Sequence, residues 1–95
     1  MNEPKPRCRR RILYAGRVQG VGFRYTAVSA ARVCGVNGYV RNCADGTVEL
    51  LVEGATDRVE RLLHSLGQSF PGNIESQTVE ELNLPKQFDS FEVRR

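Results

Sequence analysis

Long apolar runs are missing from this 95-residue sequence, and none approaches the ~20 residues that a membrane-spanning helix requires. The first residues are polar and contain no apolar stretch of the kind found in secretory signals, so the sequence predicts a cytoplasmic protein without a membrane partner. Cysteine is also sparse: the three cysteines lack the close spacing of a zinc site, and their odd number is untypical of a disulfide framework. Free thiols are therefore expected, with a Cys34–Cys43 bridge left open by spacing alone.

The overall composition is typical of one ordinary globular domain. Hydrophobic residues make up 40% and charged residues 26%, and the length allows a modest two-layer core. Positive charge is concentrated at the start, because residues 1–11 carry five basic residues and one acidic residue, whereas the rest of the chain is almost balanced. We therefore expect a basic, flexible arm at residues 1–8, solvated rather than bound to nucleic acid, and a folded domain at residues 9–95.

Hydrophobic periodicity predicts an alternation of strands and helices. In chain order, the predicted elements are a strand at 9–15, a helix from 23 or 24 to 34, strands at 36–43 and 47–53, a helix capped by Thr56 or Asp57 with Glu60 and ended by Gly67, and strands at 77–82 and 88–94. The order β-α-β-β-α-β, with a short extra C-terminal strand, predicts an α+β fold. Its form would be a ferredoxin-like two-layer α/β sandwich, with a mainly antiparallel sheet and two helices on one face. Because that fold serves many functions, the site must identify the function.

A glycine-rich stretch runs from Gly16 to Arg24, with three glycines in its first seven positions. Glycine allows backbone N–H groups to turn toward one point, and such a group of donors binds anions. The start of the following helix adds partial positive charge, and the guanidinium of Arg24 could clamp the same anion. Close packing could explain Gly16 or Gly22 singly, but not why the run ends in arginine. The stretch predicts a phosphate-binding loop.

A second glycine-containing stretch runs from Gly38 to Gly54 and holds Asn42 beside the predicted Ala44-Asp45-Gly46 turn. An isolated asparagine here would be explained by turn formation, for which asparagine is favoured. The end of the first strand and Asn42 can nevertheless reach the same rim of the sheet. That possibility makes Asn42 a candidate site residue.

Together the two stretches resemble the signatures of the acylphosphatase family. The matching residues of the first signature are Gly16, Val18, Gln19, Gly20, Val21, Phe23 and Arg24. Those of the second are Gly38, Tyr39, Val40, Arg41, Asn42, Gly46, Val48 and Gly54, and residues 91–94 resemble the closing strand of the family. The resemblance covers about residues 10–95 and agrees with the predicted fold.

This resemblance implies a role for each matching site residue. Arg24 would bind the substrate phosphate, and Asn42 would hold and orient the attacking water. The backbone amides that would bind the phosphate with Arg24 belong to Gln19, Gly20, Val21, Gly22 and Phe23. The implied enzyme is a hydrolase acting on acid anhydrides, which converts an acyl phosphate to a carboxylate and inorganic phosphate without a metal or other cofactor. We expect it to act as a monomer.

The residues of the two motifs fit that chemistry. They include no histidine, and their only acid is Asp45. A phosphate ester usually needs an acid to protonate its leaving group, whereas an acyl phosphate releases a carboxylate that is already stable near neutral pH. The protein then has mainly to position groups and stabilise charge. We take a substrate phosphate oxygen as the acceptor of the water's proton, with Asp45 as the alternative base.

Other notable residues are expected to lie outside the site. His64 is expected at the solvated surface, and Tyr14, Tyr25 and Phe91 are expected to pack. The sequence reveals no pocket for the acyl group.

Two other functions remain as alternatives. An RNA-binding module would share the topology and the basic arm, but the strands lack the aromatic run that stacks bases. A non-catalytic anion sensor would keep the loop without turnover.

Overall fold

The computed structural model describes residues 6–83 and 87–95. In these ranges, segments with alternating apolar residues form five strands, and segments with apolar residues at helical spacing form two helices. The elements are β1 (Arg7–Gly16), α1 (Phe23–Cys34), β2 (Asn37–Asn42), β3 (Val48–Ala55), α2 (Thr56–Ser69), β4 (Ile74–Glu81) and β5 (Phe91–Arg94). Neither helix of the described chain combines the length and the apolar character that a bilayer crossing demands. The three cysteines are free, as expected.

All five strands join in one sheet with the order β4-β1-β3-β2-β5. Neighbouring strands are antiparallel except for β2 and β5, which run parallel. Both helices pack on one face of this sheet, and apolar side chains from helices and strands form a single core between the two layers. The predicted ferredoxin-like sandwich with an extra C-terminal strand is confirmed.

The position of β3 brings two distant parts of the chain to the same rim. β3 lies between β1 and β2 and is antiparallel to both, so β1 and β2 run in the same direction. Val48 pairs with Tyr14 of β1 on one side and with Asn42 of β2 on the other. The glycine-rich loop that follows β1 and Asn42 at the end of β2 therefore lie at the same rim of the sheet.

Small residues let α1 lie close to the sheet. Ala27 and Ala31 are completely buried on its inner face, and Cys34 at its end is also buried. The helix ends at Gly35, which has a left-handed φ of 73° and donates its N–H to the carbonyl of Ala31 at 2.9 Å. The predicted bounds and the glycine stop of this helix are confirmed.

The predicted ends of α2 were wrong at both termini. Ala55 precedes the first turn, and no side chain caps it, so neither Thr56 nor Asp57 is the capping residue. The helix also continues through Gly67 to Ser69, and the next residue, Phe70, is buried against Phe23 with ring centroids 4.9 Å apart. Burial of such a ring contributes more than the cost of about 1 kcal/mol for glycine inside a helix, which explains the longer helix.

The sheet edges account for the largest differences in strand bounds. β4 begins at Ile74 instead of 77, and β5 begins at Phe91 instead of 88, whereas the other strand ends agree within two residues. Only Ile74 of β4 is partly buried, because this edge strand joins the sheet through its backbone while its side chains face solvent. An exposed edge strand has little apolar alternation from which its limits could be predicted.

Arginines near the start of the chain belong to the sheet. β1 begins at Arg7, so the predicted arm at 1–8 overlaps the strand at Arg7 and Cys8; for residues 1–5, which lie outside the described residues, the arm stays a prediction. Three following arginines pair with glutamates of other elements. These pairs are Arg9–Glu53, Arg10–Glu81 and Arg11–Glu49. Assigning their charge to a terminal arm was wrong.

The Arg9–Glu53 pair is the most deeply buried of these contacts. Arg9 is 3% exposed and Glu53 is 4% exposed, and their nearest nitrogen and oxygen lie 2.5 Å apart. Glu53 also accepts hydrogen bonds from the backbone amides of Gln87 and Phe88. Burial alone would raise the pKa of Glu53, but the hydrogen bonds from Arg9 and the two amides outweigh it and hold the pKa below its usual value.

We predict that Glu53→Gln lowers the free energy of unfolding by about 3 kcal/mol at neutral pH, because it removes the carboxylate that pairs with the buried Arg9 guanidinium. A carboxyl with a lowered folded-state pKa stabilises the protein above the ordinary glutamate pKa of 4.5, and this contribution disappears as pH falls through the folded-state value. Denaturant titrations at pH 7 and pH 3 should show a smaller difference at the lower pH. Glu60→Gln, at an exposed ion pair, is the control. A difference for Glu53→Gln that did not change with pH would contradict the prediction.

Candidate active site

The glycine-rich loop is anchored where β1 ends. The backbone amide of Arg17 donates to the carbonyl of Asn73 at 2.9 Å, and the side-chain amide of Asn73 donates to the carbonyl of Arg17 at 3.0 Å. A Cβ atom on Gly16 would lie 2.2 Å from the carbonyl oxygen of Asn73, so only glycine permits this approach. Gly16 therefore serves packing.

Gly20 and Gly22 serve the shape of the loop itself. Their φ angles are 76° and 81°, in the left-handed region, while a Cβ atom at either position would meet nothing within 4 Å. α1 starts directly after Gly22, and its first backbone hydrogen bond runs from the amide of Thr26 to the carbonyl of Gly22. The backbone amides of Phe23, Arg24 and Tyr25 precede this first hydrogen bond and have no acceptor within the helix. These N–H groups at a helix start are donors suited to an anion.

Phe23 fixes the position at which α1 begins. Its ring is 1% exposed and packs against Tyr14 and Phe70, with centroids 4.9 Å from each. With the side chain in the core, only the backbone amide of Phe23 is left to contribute to the loop. Arg24, the next residue, is partly exposed and forms no ion pair or hydrogen bond with the residues that the structure describes. Its guanidinium remains free for a ligand.

Asn42 is the last residue of β2. Alternation along the strand places it on the same face as the buried Val40, which is the face that α1 covers. Its side-chain oxygen Oδ1 is buried and accepts no hydrogen bond from any residue in the ranges 6–83 and 87–95. A buried acceptor without a donor costs about 1–3 kcal/mol, so this oxygen is suited to accept a hydrogen bond from a bound water.

Gln19 connects the loop to the hairpin that follows Asn42. Its side-chain nitrogen Nε2 donates to the carbonyl of Cys43 and to the carbonyl of Thr47, each at 2.9 Å. The same two residues close the hairpin, since the amide of Cys43 donates to the carbonyl of Thr47 at 2.8 Å. The sequence suggested only the backbone amide of Gln19 for the site. The structure adds a side-chain link between the loop and Asn42's hairpin.

These elements enclose a pocket of about 290 Å³. Its lining residues are Val18, Gly20, Gly22, Phe23, Arg24, Tyr25, Asn42 and Val93. Arg24 and Asn42 thus meet in one pocket with the glycines of the loop. Gln19 and Val21 are not among the lining residues: Gln19 makes the link described above, and Val21 lies between the two lining glycines.

Four residues were expected to lie in the core or at the solvated surface without contacting substrate, and the structure differs from that expectation at one of them. Tyr14 and Phe91 are buried, and His64 is exposed. Tyr25 was expected to pack, and this was wrong: it is 79% exposed and lines the pocket with Val93. Position in the helix could have revealed this, because Tyr25 is two residues before the inward-facing Ala27 and thus lies on another face.

Metal ligands were not expected at this site. Over the described ranges, no three histidine, cysteine, aspartate or glutamate residues lie close enough together to hold a metal ion. The groups available to a ligand in the pocket are the Arg24 guanidinium, backbone amides and the Asn42 carboxamide. This set suits an anion together with a water molecule.

Known proteins resemble the chain in both sequence and fold. The family model described as Acylphosphatase matches residues 10–93. An acylphosphatase of Trichormus variabilis is 40% identical over 88% of this chain and 83% of its own length, and one of Thermococcus kodakarensis is 40% identical over 92% and 96%. The crystal structure of acylphosphatase from Bacillus subtilis matches with a TM-score of 0.86 at 30% identity, over 93% of this chain and 99% of that one.

We predict that Gln19→Ala lowers the free energy of unfolding by about 1–2 kcal/mol, because two hydrogen bonds between the loop and the hairpin are lost. Since the sequence has no tryptophan, denaturant titration should be followed by circular dichroism. Gln68→Ala, at an exposed position of α2, is the matched control and should change stability by less than about 0.5 kcal/mol. Equal stabilities of the two variants would show that the link contributes nothing.

Proposed function

The chain belongs to the acylphosphatase family, and from this premise we propose that it hydrolyses the carboxyl–phosphate bond of an acyl phosphate. The products are a carboxylate and inorganic phosphate. In this proposal Arg24 and the loop amides of residues 19–23 bind the phosphate, and Asn42 orients the attacking water. The enzyme requires no metal ion for this reaction.

One observation supports the proposal above the others: a free guanidinium and an unpaired buried amide oxygen line the same pocket. Arg24 and Asn42 come from different elements and meet only because of the strand order. A guanidinium presents several fixed donors to phosphate oxygens, and the glycine-rich helix start adds backbone donors. The carboxamide oxygen of Asn42 can accept a hydrogen bond from the water and so direct the water's lone pair at phosphorus.

The bond that breaks explains why these groups suffice. The water oxygen forms a bond to phosphorus while the bond between phosphorus and the bridging oxygen breaks, and the electron pair leaves with the carboxylate. A carboxylate needs no protonation near pH 7, so this step does not require a general acid. Arg24 and the amides stabilise the negative charge on the transferring phosphoryl group.

The proton of the attacking water passes to a phosphate oxygen of the substrate in this mechanism. Asp45 is the alternative base, but its surroundings disfavour that role. Its Oδ1 accepts hydrogen bonds from the hydroxyl of Thr47 at 2.6 Å and from the amide of Thr47 at 3.0 Å. These bonds lower the pKa of Asp45, which makes it a weaker base, and the residue does not line the pocket.

The structure gives no support to an RNA-binding role. In RNA-recognition modules the open face of the sheet stacks bases on aromatic rings. Here Glu49 occupies the centre of that face and pairs with Arg11 and Arg41, while Tyr39 donates its hydroxyl hydrogen to Glu49 and lies beneath the Arg94 guanidinium. A buried carboxylate at the centre of this face opposes binding of a polyanion. We propose that the chain acts on free acyl phosphates as a cytoplasmic monomer.

We predict that Arg24→Ala lowers kcat/KM for benzoyl phosphate by about 10²–10³ and weakens inhibition by inorganic phosphate, because a donor to the phosphoryl oxygens is removed. Asn42→Ala should lower kcat by about 10² with a smaller effect on phosphate inhibition, because water rather than phosphate loses its partner. Phosphate release, measured with and without a chelator, checks both. Arg32→Ala, at an exposed position of the same helix, is the control. Turnover by wild type no faster than by the Arg24 and Asn42 variants would overturn the proposed function. If Asn42→Ala weakened phosphate inhibition more than Arg24→Ala did, the phosphate-binding and water-orienting roles would have to be exchanged.

We predict that Asp45→Asn retains turnover within about three-fold of wild type. Asparagine can accept the same hydrogen bonds from Thr47 and so preserve the turn, but it cannot act as a base. The measurement is kcat for benzoyl phosphate between pH 5 and pH 8. Loss of turnover across this range, in a variant with an unchanged circular dichroism spectrum, would instead identify Asp45 as the base.

A further inference from the structure

Exposed apolar side chains are concentrated around the phosphate pocket. In the described part of the chain, five large apolar side chains are well exposed, namely Val21, Tyr25, Val33, Val79 and Val93. Tyr25 and Val93 line the pocket, and Val21 lies between two glycines that line it. Single exposed apolar residues are ordinary, but three beside one polar site indicate a surface that contacts a ligand.

Tyr25 is the most informative of the three. It follows Arg24 directly in the first turn of α1, and its side chain is 79% exposed. Within the ranges 6–83 and 87–95 its ring stacks on no other ring, and its hydroxyl has no hydrogen-bond partner. A large aromatic ring held beside a phosphate-binding arginine offers an apolar surface that the fold itself does not use.

Val93 reaches the same pocket from a different layer of the fold. β5 alternates, so Phe91 and Val93 share the face on which α1 packs, while Glu92 and Arg94 share the other. Phe91 is 3% exposed and anchors the strand in the core, whereas Val93 is left 47% exposed. A helix residue and a strand residue thus present apolar surface to one pocket, with Val21 of the loop, 43% exposed, beside it.

We propose that Tyr25, Val93 and Val21 form an acyl subsite, which gives the enzyme a preference for acyl phosphates with an aromatic or bulky apolar acyl group. The inference rests on the proposed function. Once the phosphate occupies Arg24 and the loop amides, the remaining part of the substrate is the acyl group beyond the bridging oxygen. That group must extend from the polar donors toward the rest of the pocket lining, which is apolar at Tyr25 and Val93 and has the exposed Val21 beside it.

The subsite would contribute binding energy through contacts with the acyl group, at a distance from the phosphorus–oxygen bond that breaks. Contact of an acyl ring with Tyr25 removes apolar surface of both from water, and such contact can lower the transition-state barrier if it helps to place phosphorus next to the water. A ring–ring contact is typically equivalent to a few-fold change in rate or affinity. An acetyl group is too small to make it. The sequence revealed no pocket for the acyl group, and the proposed subsite supplies a surface for it.

The test compares kcat/KM for benzoyl phosphate and acetyl phosphate in wild type, Tyr25→Ala, Tyr25→Phe and Val33→Ala. The two substrates differ in intrinsic reactivity, but this difference cancels when the ratio of a variant is divided by the ratio of wild type. We expect Tyr25→Ala to reduce the benzoyl-to-acetyl ratio about five-fold. Tyr25→Phe keeps the ring and should retain the ratio within about two-fold, as should Val33→Ala, an equally exposed apolar position of α1 away from the pocket.

Inhibition by inorganic phosphate separates the subsite from the phosphate site. Tyr25→Ala keeps its backbone amide, so the inhibition constant should change by no more than about two-fold. An unchanged substrate ratio in Tyr25→Ala, with normal turnover by wild type, would overturn the subsite and leave the proposed function standing. An equal loss on both substrates would also overturn it, because Tyr25 would then act on the part that they share. Absence of turnover by wild type on both substrates would overturn both proposals.

Discussion

The pairing of Val48 with two strands at once is the constraint on which the site depends. On one side it holds Tyr14, just before the glycine-rich loop leaves β1, and on the other it holds Asn42 at the end of β2. A slip of one residue in either register would turn every side chain of that strand to the opposite face. Tyr14, Val40 and Val48 are all completely buried, so such a slip would expose core residues. The core thereby fixes the distance between the loop and Asn42.

A second constraint comes from aromatic packing beneath the start of α1. Phe23 lies between Tyr14 of β1 and Phe70, which follows α2, so the first turn of α1 is attached to both layers. This explains why α2 continues through Gly67: the longer helix delivers Phe70 to the base of the site. Arg24 follows Phe23 and inherits its position. Gln19 then attaches the other end of the loop to the hairpin after Asn42.

Much of this could be predicted from sequence, for reasons that differ between residues. The chain order of the elements and α1 with its Gly35 stop follow from local periodicity, whereas the grouping of Arg24 with Asn42 followed from the resemblance of the two motifs to the acylphosphatase signatures. Charge placement could not be predicted, because Arg9 and Glu53 are 44 positions apart and meet only through the pairing of β1 with β3. The same holds for Gln19, whose acceptors lie 24 and 28 positions away.

The sequence by itself determined the elements of this fold and the chemical groups of its site. Helix and strand periodicity depend on neighbouring residues, and the glycine conformations that shape the loop are intrinsic to the residue type. Tertiary structure alone decided which groups stay available to a ligand. Packing and long-range pairing join three arginines of β1 to glutamates, bury Phe23 and leave Arg24, Asn42 and Tyr25 around one pocket. Burial and pairing depend on contacts between distant residues, and no local pattern specifies them.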